Sequence, residues 1–232
     1  MRMKSRLILF TVLLLPTLIY VYFALGVPKG VRAPFFGPRH AIEVTDKNGN
    51  PKTDTAYYRI PEFECKTTGG VSFSSKSLAG HLYVAVFVDP DSMASLLPLL
   101  AEDIRLNRYK YNEARFVFFF PGDSAGNPPA SAPDFASELK LGKDTAWTLF
   151  VTPAAFDSLH DRHYFVPDPA RKKDPWQTRS DAVLIDYKSR IRGYYNIHYA
   201  DELKKMKEDV PYIHFGDEAV QTIEETTIDK KK

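Results

Sequence analysis

Residues 82–88, LYVAVFV, form an unbroken apolar run of strand length, and such a run is satisfied only as a strand covered on both faces. Asp89-Pro90-Asp91 follows, after which Leu96, Leu97, Leu100 and Ile104 recur at three- and four-residue spacing. That spacing puts them on one face of a helix, with Ser92 or Ser95 placed to accept from its first-turn amides. Residues 82–100 therefore read as strand, tight loop, helix. In sheets built from such units, ligands and catalytic groups collect at the carboxyl end of the strand. Here that end reads Asp-Pro-Asp-Ser-Met-Ala-Ser, with no cysteine, histidine or glycine-rich phosphate cradle.

The rest of the chain alternates in the same way. Residues 57–65 and 71–73 flank Thr67-Thr68-Gly69-Gly70 and predict a hairpin in which Phe63 and Cys65 share a face. Residues 115–120 (RFVFFF) and 147–151 (WTLFV) predict two further strands. Between them, residues 124–133 carry too many breakers for regular structure, and residues 135–141 read as a short helix. A helix is expected at 153–163 with Pro153 in its first turn, then a β pair at 182–186 and 191–195 joined by a turn. A last helix begins at 201–207, and residues 214–232 are expected to be a charged tail. The pattern predicts an α/β fold, a thioredoxin-like central sheet flanked by helices, occupying residues 55–213.

Ahead of this domain, residues 7–27 (LILFTVLLLPTLIYVYFALGV) are long enough as a helix to cross a hydrocarbon core of about 30 Å. They are expected to be a single transmembrane anchor behind a cytoplasmic stub at 1–6, with residues 28–54 a linker carrying a short hairpin about Asn48-Gly49. Basic residues flank the run on both sides and favour a cytoplasmic N-terminus, so the domain is expected on the periplasmic or other extracytoplasmic side. A cleaved signal peptide ending near Ala24-Leu25-Gly26 is the competing reading, but the apolar run exceeds the usual signal core. Arg2, Lys4 and Arg6 account for three of the 31 basic residues, leaving 28 against 29 acidic ones beyond them. That balance gives no support to nucleic-acid binding.

Several segments together resemble the Sco/SenC proteins, membrane-anchored thioredoxin-like copper proteins of cytochrome c oxidase assembly. They are Ile60-Pro61-Glu62-Phe63, Leu78-Ala79-Gly80-His81 leading into residues 83–87, residues 147–152, and Leu184-Ile185-Asp186 followed by Ile191-Arg192-Gly193-Tyr194-Tyr195. The resemblance covers residues 57–212 together with the anchor. It implies a copper site made of a Cys-x-x-x-Cys after the central strand and a histidine shortly before the LID strand. Laid on this chain without gaps, those ligands fall at Ser92, Leu96 and Thr178. Copper(I) prefers thiolates and imidazole, and a serine hydroxyl, a leucine and a threonine supply neither; nor can an alcohol carry out thiol–disulfide exchange. The resemblance therefore implies the fold, a membrane location and a protein partner (an oxidase subunit or an intact Sco-type protein), while the residues speak against the family chemistry.

Other chemistry is sparse. Cys65 is the sole cysteine, so an intramolecular disulfide is impossible. It reads as a small buried apolar side chain, the rival being a reactive thiol that works with an external resolving thiol. His160 and His163 stand three apart on the predicted helix and read as an exposed helix end; together with Met93 they are the alternative metal ligands. Tyr194, Tyr195, Tyr199 and Trp176 make the C-terminal region aromatic. The expected role is a non-catalytic binding or assembly factor with no cofactor. The alternatives are a thiol-dependent redox enzyme using Cys65 and a metal carrier using Met93 and the histidines. The anchor is directly testable: intact-mass measurement of the mature protein should retain residues 7–27, and a chain beginning at Val27 would overturn the assignment.

Overall fold

The apolar run at 82–88 becomes an interior strand of a mixed sheet. The structure, a computed structural model, describes residue 14 and residues 34–45, 49–88, 93–129, 145–167 and 179–229, of which the side chains of 93–98 and 217–229 are outside the description. The chain divides into two units, Met1–Arg32 and Ala33–Lys232, and the sheet belongs to the second. Apart from Leu14, the expected anchor at 7–27 lies outside the described residues, as do the expected helix at 135–141 and Trp176. Among the described residues no helix is long and apolar enough to cross a membrane.

β1 (Arg39–Thr45) and β2 (Pro51–Tyr57) pair antiparallel as a separate ribbon whose connection includes Gly49 at φ +84°. The main sheet comprises β3 (Glu64–Thr67), β4 (Ser72–Ser74), β5 (Leu82–Phe87), β6 (Ala114–Pro121), β7 (Ala146–Val151), β8 (Ala182–Ile185) and β9 (Ile191–Tyr195). Its order is β4-β3-β7-β6-β5-β8-β9. β5, β6 and β7 are parallel neighbours, β8 runs antiparallel to β5, and β9 antiparallel to β8. A strand–helix–strand unit closed by an antiparallel pair and a final helix is the thioredoxin-like arrangement expected from the sequence.

The two-residue period of the strands divides the core. Leu82, Val84 and Val86 of β5 and Phe116, Phe118 and Phe120 of β6 face one layer. That layer is covered by α1 (Met93–Leu106) through Leu100 and Ile104, and by α3 (Ala200–Asp229) through Leu203, Met206, Val210 and Ile213. Tyr83, Ala85, Phe87, Val117 and Phe119 face the opposite layer, filled by Phe63, Phe73, Leu78 and Tyr164, and by Phe156 of α2 (Pro153–Ser158). Thr152 caps α2, its side chain accepting from Ala155 N at 3.2 Å.

Four expectations need correction. The β-prone run 57–65 is not one strand: β2 ends at Tyr57 and β3 starts at Glu64, the intervening Pro61 having no amide to donate. Because β1–β2 pairing runs from Arg39↔Tyr57 to Thr45↔Pro51, it crosses the expected boundary between linker 28–54 and domain 55–213. The helix at 153–163 is α2 followed by a π turn at Leu159–His163, a widening that allows consecutive Leu159 and His160 both to be buried. Finally, the expected charged tail at 214–232 is helical as far as residue 229. α3 continues through Pro211, whose missing amide costs the Lys207 carbonyl its usual partner, into a segment of good helix formers such as Glu, Gln and Ala.

The turn between β8 and β9 is held by Asp186, which has no exposed surface. Its Oδ1 accepts from the amides of Lys188 and Arg190 at 3.0 Å each, and its Oδ2 from Arg190 Nε at 2.8 Å and Arg192 Nη1 at 3.1 Å. Both guanidiniums lie over the Phe35 ring, at 4.5 and 4.2 Å, and Phe36 N donates to Ile191 O at 3.0 Å. At the end of β9, Tyr195 folds across Gly193 to donate its hydroxyl to Asp209 Oδ2 at 2.7 Å; a Cβ at Gly193 would collide with that phenol. Removing one partner of a buried charge cluster strands the others, so Asp186→Asn should lower stability by about 3–5 kcal/mol. In urea unfolding its midpoint should fall with the slope unchanged, and a wild-type midpoint would refute the assignment.

Candidate functional site

The parallel direction of β5, β6 and β7 brings their carboxyl ends to one edge, and the antiparallel β8 begins there. Phe87 N donates to Asp181 O at 2.8 Å and Val88 N to Phe119 O at 3.0 Å, so the mouth of the sheet is framed by the end of β5 and the start of β8. This is the place the sequence singled out. Asp89–Ser92 and Thr178 are outside the described residues, and Met93 and Leu96 are placed only as backbone in the first turns of α1. The described part of that helix carries the apolar stripe onward, with Leu100 and Ile104 in the core.

His160 is brought to this mouth. Its ring stands edge-on to Phe87 at 5.3 Å and stacks over Phe156 at 6.4 Å, and Nδ1 donates to the Asp161 carboxylate at 2.6 Å. The expectation of an exposed helix end fails for this residue: only 5% of it is exposed, because the π turn rolls it onto the aromatic layer. His163 is half-buried, and its Nδ1 has no hydrogen-bond partner among the described residues. The side chain of Met93, the third of the alternative ligands, lies outside the described residues. Among the described residues no group of three or more His, Cys, Asp or Glu is arranged to hold a metal.

Sequence reasoning missed a polar cluster beside them. Asp181, 3% exposed, accepts from Arg179 Nε at 3.2 Å through Oδ1, and its Oδ2 lies 3.6 Å from His198 Nε2. Ser180 N donates to Pro167 O at 2.9 Å and Asp181 N to Tyr195 O at 3.0 Å, so the segment leading into β8 is tied on both sides. A signal was available, namely an acid between Arg179 and an apolar strand, which when buried needs a countercharge. Chemically the cluster is an acid between two bases. It orders the loop that follows Thr178 and supplies neither a thiolate nor an arranged metal shell. The donor set at 92, 96 and 178 is two neutral oxygens and a hydrocarbon, which does not fit copper(I).

Cys65 lies elsewhere. It pairs with Phe73 across β3–β4, three strand positions from β5, or roughly 14 Å at the usual inter-strand spacing. It is 7% exposed, its Sγ 4.0 Å from Phe73 O, packed among Phe63, Phe73 and Leu78. Burial pushes the thiol up from an ordinary 9.0 to about 12, with the neighbouring Glu64 carboxylate adding to the effect. The aromatic C-terminal region is also packing for the most part. Tyr195 is buried, Tyr194 donates to Tyr164 O at 2.9 Å, and Tyr199 is exposed.

No protein-family model matches the chain, and no curated protein matches it in sequence. Solved structures do. BsSco, a member of the Sco family of cytochrome c oxidase assembly proteins, is 17% identical, with 66% of this chain and 92% of that one covered and a TM-score of 0.47. Bradyrhizobium japonicum ScoI with copper bound is 18% identical over 67% and 99%, at 0.45. Yeast Sco1 with copper bound is 20% identical over 66% and 88%, also at 0.45. At these scores the similarity carries no functional argument, and the thioredoxin-like assignment rests on strand order and direction.

The buried thiol sets a pH dependence. In the unfolded chain Cys65 ionises near 9.0, whereas the folded protein holds the proton to about 12. A raised folded value stabilises fully below the unfolded pKa, and the contribution is lost as pH rises from about 9 toward 12. Native protein at pH 8 should therefore resist a bulky aromatic disulfide reagent and react at the rate of unfolding. Labelling as fast as that of free cysteine would overturn this.

Proposed function

We propose that this protein is an anchored, extracytoplasmic binding or assembly factor on the thioredoxin-like scaffold, working without thiol exchange or a copper–thiolate centre. The observation that carries the reading is the state of its sole cysteine. It sits in the hairpin core with its thiol pushed up to about 12, where it supplies no thiolate at neutral pH to attack a disulfide or peroxide. The positions that the Sco/SenC resemblance would assign to copper ligands are Ser92, Leu96 and Thr178. Without those ligands, what the fold retains is a rigid sheet with covered faces and loops at both ends, which is the equipment of a docking module. The apolar segment at 7–27 serves in this reading as the anchor that brings the module beside its partner. By the same sequence resemblance, that partner is a respiratory oxidase subunit or an intact Sco-type protein.

Two measurements test the proposal. In competition against a copper(I) chelator, the protein should take up no more metal than an unrelated protein of its size. Tight stoichiometric uptake would sink the reading and direct attention to Met93, His160 and His163. Purification of the membrane form with a cleavable cross-linker should recover a membrane protein partner whose capture is unchanged in Cys65→Ser. Loss of capture in that variant, with the fold intact by circular dichroism, would favour a thiol-dependent role.

A further inference from the structure

At the amino end of β5, opposite the mouth described above, three segments enclose a cavity of about 310 Å³: residues 59–63, residues 75–80 and the turn at 187–189. These walls are joined to one another by the chain itself. Ile60 N donates to Ser189 O at 2.9 Å, Ser75 N to Phe63 O at 3.0 Å, and Phe63 N to Ser75 Oγ at 2.9 Å. Ser189 takes up φ +59°, and its turn is fixed from beneath by Asp186. The cavity is thus preformed, at the lower end of the size range of small-molecule sites.

Its composition is two-sided. The inner wall is apolar, made by Phe63, Leu78 and Tyr83, all buried, with the Tyr83 hydroxyl engaged by Tyr164 at 3.2 Å. The rim carries Arg59, Lys76 and Lys188 against a single acid, Glu62. Glu62 is matched by Lys76 at 3.3 Å, and Asp186 below the turn by Arg190 and Arg192 at 2.7 and 3.1 Å. Arg59 and Lys188 are left without an ion-pair partner among the described residues, on segments that the Ile60–Ser189 hydrogen bond holds side by side. We propose that this cavity binds a small organic anion, its carboxylate or similar oxyanion held at the rim by Arg59 and Lys188 and its apolar body laid on Phe63, Leu78 and Tyr83. An organic cation is disfavoured by the same charges, and a bare inorganic anion would leave the apolar wall unused. The site is at the other end of the sheet from the carboxyl end of β5, so it stands or falls independently of the function proposed above.

A charge-matched series tests it on the full protein in detergent, read by amide chemical shifts at Ile60, Gly80 and Ser189. Hexanoate should shift these resonances saturably, 1-hexanol more weakly, and hexylammonium and inorganic phosphate least. Arg59→Gln with Lys188→Gln should weaken hexanoate by about tenfold, the equivalent of roughly 1.4 kcal/mol, while leaving hexanol unaffected. Both side chains are at the rim, so the variant should keep the wild-type spectrum elsewhere; should it unfold, Lys188→Gln alone replaces it. Equal binding of hexanoate and hexylammonium, saturation by phosphate alone, unchanged hexanoate affinity in the variant, or no saturable shift would each overturn the proposal.

Discussion

A carboxylate with no exposed surface can persist only if every lone pair is answered, and Asp186 meets this condition with two backbone amides and two guanidiniums. The consequences spread outward from that one group. Its hold on residues 188 and 190 fixes the reversal between β8 and β9, and so the register of the last antiparallel pair. The two arginines it gathers present their flat faces to Phe35, which ties the segment before β1 to the sheet. Replacing such a cluster with apolar groups is often tolerated, whereas breaking it is not. Its worth here is therefore positional, since it places three separate stretches of chain in one arrangement.

Much of the scaffold was legible because its signals are short-range. The unbroken run at 82–88, the alternation of Phe116, Phe118 and Phe120 with Val117 and Phe119, and the Gly-bearing turn at 67–70 each report a local period that the sheet preserves. What escaped was tertiary. Nothing local says that Leu159 and His160 will both turn inward, since consecutive residues on a regular helix lie about 100° apart, and only the π turn reconciles them with the aromatic layer. Nor does spacing show that Asp181 meets His198 across seventeen positions, or that Tyr195 needs the bare backbone of Gly193 beneath it. The IRGYY segment looked like a family signature. Physically it is an arginine for Asp186, a gap, and a phenol aimed at Asp209.

The two ends of the central strand differ in kind. At the carboxyl end the acids are matched by bases, Asp181 by its arginine and histidine and Asp161 by His160, while His163 Nδ1 has no hydrogen-bond partner among the described residues. At the amino end, acids are neutralised locally while two cations are left at the rim of a lined hollow. The lone thiol belongs to neither. It is packing material in a three-residue ladder, and its chemistry is suppressed by the same burial that makes it useful there.

The order of strands has a consequence for self-association. An open sheet offers two edges whose unpaired amides and carbonyls can recruit a second chain. Here β4 is only three residues long, too short to template a lasting ladder. At the other margin β9 gives its Ile191 carbonyl to Phe36 of its own chain. Trimming the residues around Phe36 would therefore do more than free a terminal segment. It would leave the Ile191 carbonyl at that margin without its partner, an acceptor open to the amide of a second chain.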